Sequence, residues 1–270
     1  MTAANNWVIA DGKLISAGSG EITSTDGIAY EVIRIIDGKP LFLHDHILRI
    51  SNSLDKPELA NWYMQILQTK IIELIDAIAL SNGNLRIDAS HVNNFHYQIQ
   101  QIPHHYPSDG EYVHGVRVAL LHAERSRPGQ KIWNQQLRNQ ANEMISAQGV
   151  REVLLVNRNN EITEGSRSNV FFISGNNVVS APLSQVLEGI TRKHVIRAIE
   201  KTSTGRFAES KLPIKELNRY EAAFLTGTSL KILPICKVGD SGFNPQNSLL
   251  AELMVIFEDI LMNNLNATRP

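Results

Sequence analysis

The sequence contains very little cysteine. Cys236 is the one cysteine among 270 residues, so no disulfide can form within the chain. Small secreted proteins that depend on disulfides are instead rich in paired cysteines. The composition therefore excludes a disulfide-stabilised scaffold and predicts a reducing compartment, and we expect the chain to act in the cytoplasm.

An excess of either charge is also missing, and so is any long apolar run. The chain carries 26 basic and 27 acidic side chains, which gives no basic surface to attract nucleic acid or an anionic membrane. No stretch approaches the ~18 apolar residues of a membrane-spanning helix. Residues 1–16 lack a basic region followed by an apolar core, so no signal peptide is expected. We therefore expect neither nucleic acid nor a membrane as a partner.

The first part of the chain has the patterns of a small α/β domain. Asp-Gly lies between apolar runs in "WVIADGKLI" and in "YEVIRIIDGKPLFL", which predicts two β-hairpins. Apolar residues at helical spacing follow in "HDHILRISNSL" and "WYMQILQTKIIELIDAIAL", and "NLRIDAS" and "FHYQIQQI" are predicted strands. These elements predict a first domain over residues 1–106. The polar, Pro- and Gly-containing segment 107–114 is the predicted linker.

The remaining residues, 115–270, predict a second and larger domain. A strand, "VRVALL", and a helix, "WNQQLRNQANEMISAQ", precede two strand pairs, "EVLLVNRNNEIT" and "NVFFISGNNVVSA". An amphipathic helix, "GITRKHVIRAIEKT", is followed by two strands in "AAFLTGTSLKILPI" and a final helix, "SLLAELMVIFEDILMNNL". The fold class predicted for the whole chain is α/β with two domains.

Two short motifs in the second domain are suited to an anion. "GITR" (189–192) begins a helix, where unpaired amides and the helix dipole favour phosphate, and "TGTS" (226–229) combines hydroxyls with turn amides. Taken alone, the first motif is more often an ordinary helix start and the second a tight turn. Neither matches a phosphate-binding P-loop or a dinucleotide fingerprint. The histidines lack cysteine or carboxylate neighbours at metal-site spacing, so no metal site is predicted.

Lys131 and Glu164 are the two charged residues that stand out. Lys131 follows "ERSRPGQ" at a predicted strand-to-helix junction, where it is either a solvated lysine or a Schiff-base lysine. Glu164 lies in "EITEGSRSNVFFI", at the entrance of a strand whose residues are apolar enough to be buried. An acid at that position calls for a cationic partner.

The order of these motifs resembles one family. Lys131, "EITEGSRSNVFFI", "LEGITR" and "FLTGTS" occur in the order and spacing of the class IV (fold-type IV) pyridoxal-phosphate-dependent aminotransferases. In the first domain, "DGIAYEVIRIIDGKPLFLHDHILRISNSL" is similar to the same family. This family includes branched-chain aminotransferases, D-amino-acid aminotransferases and aminodeoxychorismate lyases. The resemblance implies a smaller N-terminal domain, a larger domain with a barrel-like sheet, and a homodimer with active sites between domains.

The resemblance also implies a role for each matching residue. Lys131 would be the catalytic lysine, joined to pyridoxal 5'-phosphate as a Schiff base, and Glu164 would accept a hydrogen bond from the pyridine nitrogen. Leu187 would pack on the cofactor ring, and Tyr30 corresponds to a substrate-side tyrosine. The predicted phosphate ligands are Arg49, Gly189, Ile190, Thr191, Gly227 and Thr228.

The chain departs from the family pattern where the substrate is expected. Many members have an arginine-containing loop after the strand equivalent to "NLRIDAS", whereas this chain has "SHVNNF". Arg86 or His91 is then the candidate ligand for a substrate carboxylate. Three activities remain open: transamination between a small amino donor and acceptor, release of pyruvate from aminodeoxychorismate to give p-aminobenzoate, and cofactor binding by a catalytically weak relative.

Overall fold

The computed structural model describes residues 7–16 and 27–267. Residues 1–6 of the segment in which no signal peptide is expected, and Asp26 of the "DGIAYEV" motif, lie outside these ranges. The chain divides into two compact units. The first takes residues up to His105, Gln130–Asn134 and the residues from Asn263 onward, and the second takes Tyr106–Gly129 and Gln135–Met262.

The first unit is a sheet with two long helices. Its elements are β1 (Trp7–Ala10), β2 (Lys13–Ser16), β3 (Ala29–Ile36), β4 (Lys39–Pro40), α1 (Leu43–Ser53), α2 (Ala60–Ala77), β5 (Gly83–His91) and β6 (Phe95–Ile102). The strands are ordered β2-β1-β6-β5-β3-β4, and their pairings are antiparallel.

Both predicted hairpins of this unit are confirmed. Asp11 and Gly12 connect β1 to β2 with φ angles of 44° and 82°, and Asp37 and Gly38 connect β3 to β4 with φ angles of 48° and 74°. Positive φ at both central residues is the geometry that lets a two-residue turn follow the twist of the strands. The Asp-Gly pairs therefore set the register of both hairpins.

Alternation along the strands gives the first sheet two different faces. Ile33 and Ile35 of β3 and Leu85 and Ile87 of β5 are fully buried in a core that includes Leu67 of α2. Residues one position away on the same strands project from the opposite face. One face is therefore committed to packing against the helices, while Tyr30, Val32, Arg86 and Asp88 belong to the other.

The second unit contains the larger sheet. Its elements are α3 (Asp109–His114), β7 (Val116–His122), α4 (Gln135–Gln148), β8 (Glu152–Val156), β9 (Ile162–Gly165), β10 (Asn169–Ser174), β11 (Asn177–Ser180), α5 (Ile190–Ile199), β12 (Arg206–Glu209), β13 (Ala222–Gly227), β14 (Lys231–Val238), β15 (Ser241–Gly242) and most of α6 (Ser248–Ala267). The sheet is ordered β12-β11-β10-β13-β14-β7-β8-β9, and β15 pairs with β14. The sheet curls into a half-barrel, as the resemblance implied.

Two segments of the structure were not anticipated. The segment predicted as a linker contains α3, which begins with a capping box between Ser108 and Glu111. β12 adds a strand parallel to β11, although "RFAE" is too short and polar to predict one. Among the described residues, no helix combines the length and hydropathy that crossing a membrane requires.

Candidate functional site

The backbone around Lys131 pairs with the start of β3 through an isolated antiparallel bridge between Ala29 and Ile132. The amide of Tyr30 donates to the Lys131 carbonyl at 3.0 Å, and the amide of Trp133 donates to the Ile28 carbonyl at 2.8 Å. The Lys131 amide in turn donates to Ser53 Oγ at 2.9 Å, at the end of α1. These bonds explain why residues 130–134 belong to the first unit, and they fix the point from which the lysine side chain starts.

The side chain of Lys131 lies beside Tyr30. Its Nζ is 4.7 Å from the centroid of the Tyr30 ring, and the Arg86 guanidinium carbon is 4.9 Å from the same centroid. Trp133 meets Tyr30 edge-on, with the ring centroids 5.4 Å apart, and its own ring lies 4.2 Å from Arg86. The structure therefore brings together three residues predicted from sequence, Lys131, Tyr30 and Arg86.

His91 does not join this group. It lies five positions after Arg86 on β5, so alternation places the two side chains on opposite faces of the sheet. His91 Nδ1 is 2.5 Å from the Tyr63 hydroxyl, and its ring also contacts Trp62 and Phe95. The histidine is thus part of an aromatic cluster against α2.

Arg49 is anchored by a buried acid that the sequence analysis did not single out. Its Nε and Nη2 each lie 2.7 Å from a carboxylate oxygen of Glu31, and His46 Nδ1 is 2.7 Å from Glu31 Oε2. Burial would raise the pKa of Glu31, but the Arg49 and His46 charges and hydrogen bonds hold it well below its usual range. Burial lowers the pKa of His46, against the opposing effect of Glu31.

His46 also presents a polar atom without a protein partner. Among the described residues, none makes a hydrogen bond to the buried Nε2 of His46. Buried polar groups in folded proteins are almost always paired, so this nitrogen is suited to a polar partner such as water or a ligand. Because Nδ1 faces the Glu31 carboxylate, Nε2 of the neutral imidazole is an acceptor, and the donor that suits a phosphate is the Arg49 guanidinium.

Glu164 has the cationic partner that its burial requires. Its side chain is almost fully buried, and Oε1 lies 2.8 Å from Nε of Arg125. The Leu187 amide donates to Glu164 Oε2 at 3.2 Å, and Arg125 Nη2 donates to the Ser166 carbonyl at 3.3 Å. The sequence analysis missed Arg125, although the basic character of the "ERSRPGQ" segment before Lys131 was the available signal.

A second buried acid, Glu152, holds the turn that follows Glu164. Its Oε1 accepts from Ser166 Oγ at 2.6 Å, and its Oε2 accepts from Ser168 Oγ and from the Arg167 amide, each at 3.2 Å. A Cβ at Gly165 would lie 2.0 Å from Ser168 Oγ. The small residues of "EGSRSN" are therefore needed to wrap the turn around this carboxylate.

Replacing Glu152 with alanine is expected to lower the free energy of unfolding by about 3 kcal/mol, because buried donors of the turn would lose their acceptor. Chemical denaturation measures this change, and Glu143→Ala on the exposed face of α4 is the control, with an expected effect within about 0.5 kcal/mol. A loss for Glu152→Ala no larger than the control's would show that the turn forms without this carboxylate.

The start of α5 and the end of β13 meet at Asn169. Asn169 pairs in register with Thr226, and its Nδ2 donates to the Leu187 carbonyl at 2.9 Å. A Cβ at Gly189 would lie 1.9 Å from Asn169 Oδ1, so only glycine fits there. Gly189, Ile190 and Thr191 are thereby placed near the turn that contains Gly227 and Thr228.

This part of the second unit has the donors that a phosphate needs. No side chain in the described part of the chain caps the first turn of α5, and Thr226 Oγ1 is buried with no hydrogen-bond partner among the described residues. Helix N-terminal amides and a hydroxyl are a common donor set for phosphate oxygens. The residues present therefore fit the phosphate of pyridoxal 5'-phosphate. The described residues contain no group of His, Cys, Asp and Glu suited to a metal ion.

Comparison with known proteins gives consistent matches. The sequence profile described as "Amino-transferase class IV" matches residues 28–238. A protein of Aquifex aeolicus, named "Probable branched-chain-amino-acid aminotransferase", is 32% identical over 38% of this chain, and that match spans only about a third (35%) of the relative. D-alanine aminotransferase of Staphylococcus haemolyticus is 26% identical over 84% of this chain and 86% of its own length. The crystal structure of a branched-chain aminotransferase from Thermoproteus uzoniensis with norvaline has the same fold, with a TM-score of 0.80 and 22% identity, covering 96% of this chain and 95% of that one.

Proposed function

This chain belongs to the class IV aminotransferases, a family of pyridoxal-phosphate-dependent enzymes, and we propose that it transfers the amino group of a small amino acid to a small 2-oxo acid. The proposal is supported above all by the hydrogen bonds that fix the backbone of Lys131. A solvated surface lysine does not need a fixed backbone, whereas a lysine that must meet a cofactor in one geometry does need one.

Lys131 would hold the cofactor covalently, through a Schiff base, and its amine would move the proton of the substrate α-carbon. Its amine lies over the Tyr30 ring, 4.7 Å from the centroid, with Arg86 near the same ring. A neutral amine is the form that reacts as a nucleophile and accepts a proton.

The phosphate group would be held by residues of two kinds. Arg49 supplies a guanidinium whose orientation is set by Glu31, and the amides of Ile190 and Thr191 supply uncapped donors at the start of α5. Gly227 and Thr228 would add turn donors. Thr226, which was not predicted from sequence, would contribute its hydroxyl, for which the described residues offer no hydrogen-bond partner.

Glu164 would bind the pyridine nitrogen of the cofactor. The bound cofactor supplies an electron sink for the carbanion formed on the substrate. A carboxylate beside the ring nitrogen would keep that nitrogen protonated, and Arg125, whose Nε lies 2.8 Å from Glu164 Oε1, orients the carboxylate. Leu187, whose amide donates to Glu164, is the proposed packing residue for the ring.

The names of the relatives favour transamination over elimination. Those described above are named as branched-chain and D-alanine aminotransferases, which differ in the stereochemistry of the amino acid. Pyruvate release from aminodeoxychorismate is the alternative activity within the family. A homodimer is also part of the proposal, since it is the usual assembly of the family, and light scattering coupled to size-exclusion chromatography measures it.

We expect the purified holoprotein to be yellow, and borohydride to fix the cofactor mass to the peptide that contains Lys131. Mass spectrometry of a digest locates the label, and Lys70 of α2 is the internal control that should remain unlabelled. A protein that takes up no pyridoxal phosphate, or labelling at another lysine, would contradict the proposal.

The reaction type is tested with the same holoprotein. A panel of L- and D-amino acids is added while the cofactor spectrum is followed, and aminodeoxychorismate is tested for release of pyruvate. We expect conversion to the pyridoxamine form with at least one amino acid. Pyruvate release without any such conversion would establish the lyase instead.

A further inference from the structure

Arg86 is neutralised by an acid on its own strand. Its Nε lies 3.0 and 2.9 Å from the two carboxylate oxygens of Asp88, and its Nη2 lies 2.7 Å from Oδ1. Both side chains are nearly buried, with 11% of the Arg86 side chain and 2% of the Asp88 side chain exposed. A bidentate pair of this kind fixes the guanidinium plane and cancels its charge.

This pair lies next to the proposed catalytic lysine. Tyr30 is directly opposite Asp88 across the β3–β5 pairing, so the two side chains project to the same face. Lys131 Nζ and the Arg86 guanidinium carbon each lie within 5 Å of the Tyr30 ring centroid. A substrate joined near Lys131 therefore brings its side chain within reach of Arg86.

The surroundings of Arg86 are aromatic. Its guanidinium stacks over Trp133 at 4.2 Å, and Trp133 meets Tyr30 edge-on. An unpaired arginine in this position would bind a second substrate carboxylate through charge-assisted hydrogen bonds. With Asp88 bound to the Nε and Nη2 side of the guanidinium, an incoming carboxylate meets a like charge, which opposes binding.

From this arrangement, and resting on the proposed function, we propose that Asp88 is a specificity-determining residue that acts through Arg86. It selects amino acids and 2-oxo acids with uncharged side chains and excludes dicarboxylic substrates such as glutamate and 2-oxoglutarate. Tyr30 and Trp133 provide the apolar surface that such uncharged side chains contact.

The test compares Asp88→Asn with the wild-type holoenzyme. Asparagine keeps the shape of the side chain but removes the charge that opposes a second carboxylate. We expect the ratio of kcat/KM for 2-oxoglutarate to that for 2-oxopentanoate, in which a methyl group replaces the distal carboxylate, to rise at least 10-fold. Asp76→Asn, an exposed aspartate of α2, is the matched control and should leave the ratio unchanged.

A binding measurement separates this inference from the proposed function. Calorimetry on the holoprotein compares glutarate with pentanoate, neither of which can react, and the Kd for glutarate should fall at least 10-fold in Asp88→Asn while that for pentanoate changes little. The double variant Arg86→Gln/Asp88→Asn should lose this gain. A glutarate affinity and a substrate ratio that stay unchanged in Asp88→Asn would overturn the inference. If no variant turns over any amino acid, the proposed function fails, and the glutarate result still decides the role of Asp88.

Discussion

Replacing Lys131 with alanine is expected to lower the rate of amino transfer by about 10³-fold, because positioned general acid–base catalysis is worth that much. The same variant should lose the yellow colour of the Schiff base but still bind the cofactor through its phosphate. Stopped-flow spectroscopy of the half-reaction measures the rate, and equilibrium dialysis measures the bound cofactor.

Lys131→Ala removes the amine without disturbing the backbone contacts of residue 131. The backbone contacts of residue 131 are made by its amide with Ser53 and by its carbonyl with Tyr30, and alanine keeps both groups. The fold should therefore be preserved, which circular dichroism checks. Lys70→Ala, which removes an ion pair with Glu73 at 2.7 Å, controls for the loss of a lysine elsewhere in the unit. Turnover of Lys131→Ala within about 3-fold of wild type would show that another group does this work.

Local signals in the sequence were sufficient for most of the fold. The two Asp-Gly turns, the helical spacing of α1 and α2, and the family motifs each depend on residues close together in the chain, and these elements are confirmed. The class IV family and the barrel-like sheet are likewise confirmed. β12 could not be predicted in this way, because its strand character comes from pairing with β11 and not from its own four residues.

The partners of the site residues could not be predicted, because they come from distant parts of the chain. Arg125 and Glu164 are far apart in the sequence but form an ion pair, and their spacing does not predict that pair. Glu31 is different. It shares a face of β3 with the buried Ile33 and Ile35, so the alternation of the strand already indicated a buried acid in need of a cation.

Alternation also separates Arg86 from His91, which the sequence analysis had considered together as carboxylate ligands. Their odd separation on one strand sends them to opposite faces, so His91 contacts Tyr63 while Arg86 contacts Trp133 and Tyr30. The sequence did not predict that Arg86 forms an ion pair with Asp88. Two opposite charges at alternate positions can pair or can each face a ligand, and only the side-chain geometry distinguishes these cases.

Replacing Glu164 with glutamine is expected to lower the rate of the half-reaction by about 10²-fold, the effect of removing one well-placed electrostatic contact in an active site. Glutamine keeps the size of the side chain and an acceptor for the Leu187 amide. It removes the negative charge that would keep the pyridine nitrogen protonated. Cofactor binding should fall much less, since the proposed phosphate ligands are unchanged.

Stability must be measured alongside the rate, because Glu164 also neutralises Arg125. Loss of the charge removes the ion pair with that buried guanidinium, and we expect the free energy of unfolding to fall by about 2 kcal/mol. Glu161→Gln is the matched control. Glu161 is a mostly buried acid of the same segment that accepts from Asn157 Nδ2 at 3.0 Å and lies 3.5 Å from Lys211 Nζ.

The two variants separate a structural acid from one that acts on the cofactor. Glu161→Gln should lose stability and retain its rate, whereas Glu164→Gln should lose both. Adding Arg125→Gln to Glu164→Gln removes the cation that faced the Glu164 carboxylate, so part of the stability should return while the rate remains low. A Glu164→Gln protein that is destabilised but transfers amino groups at the wild-type rate would show that the buried acid serves only Arg125 and the turn.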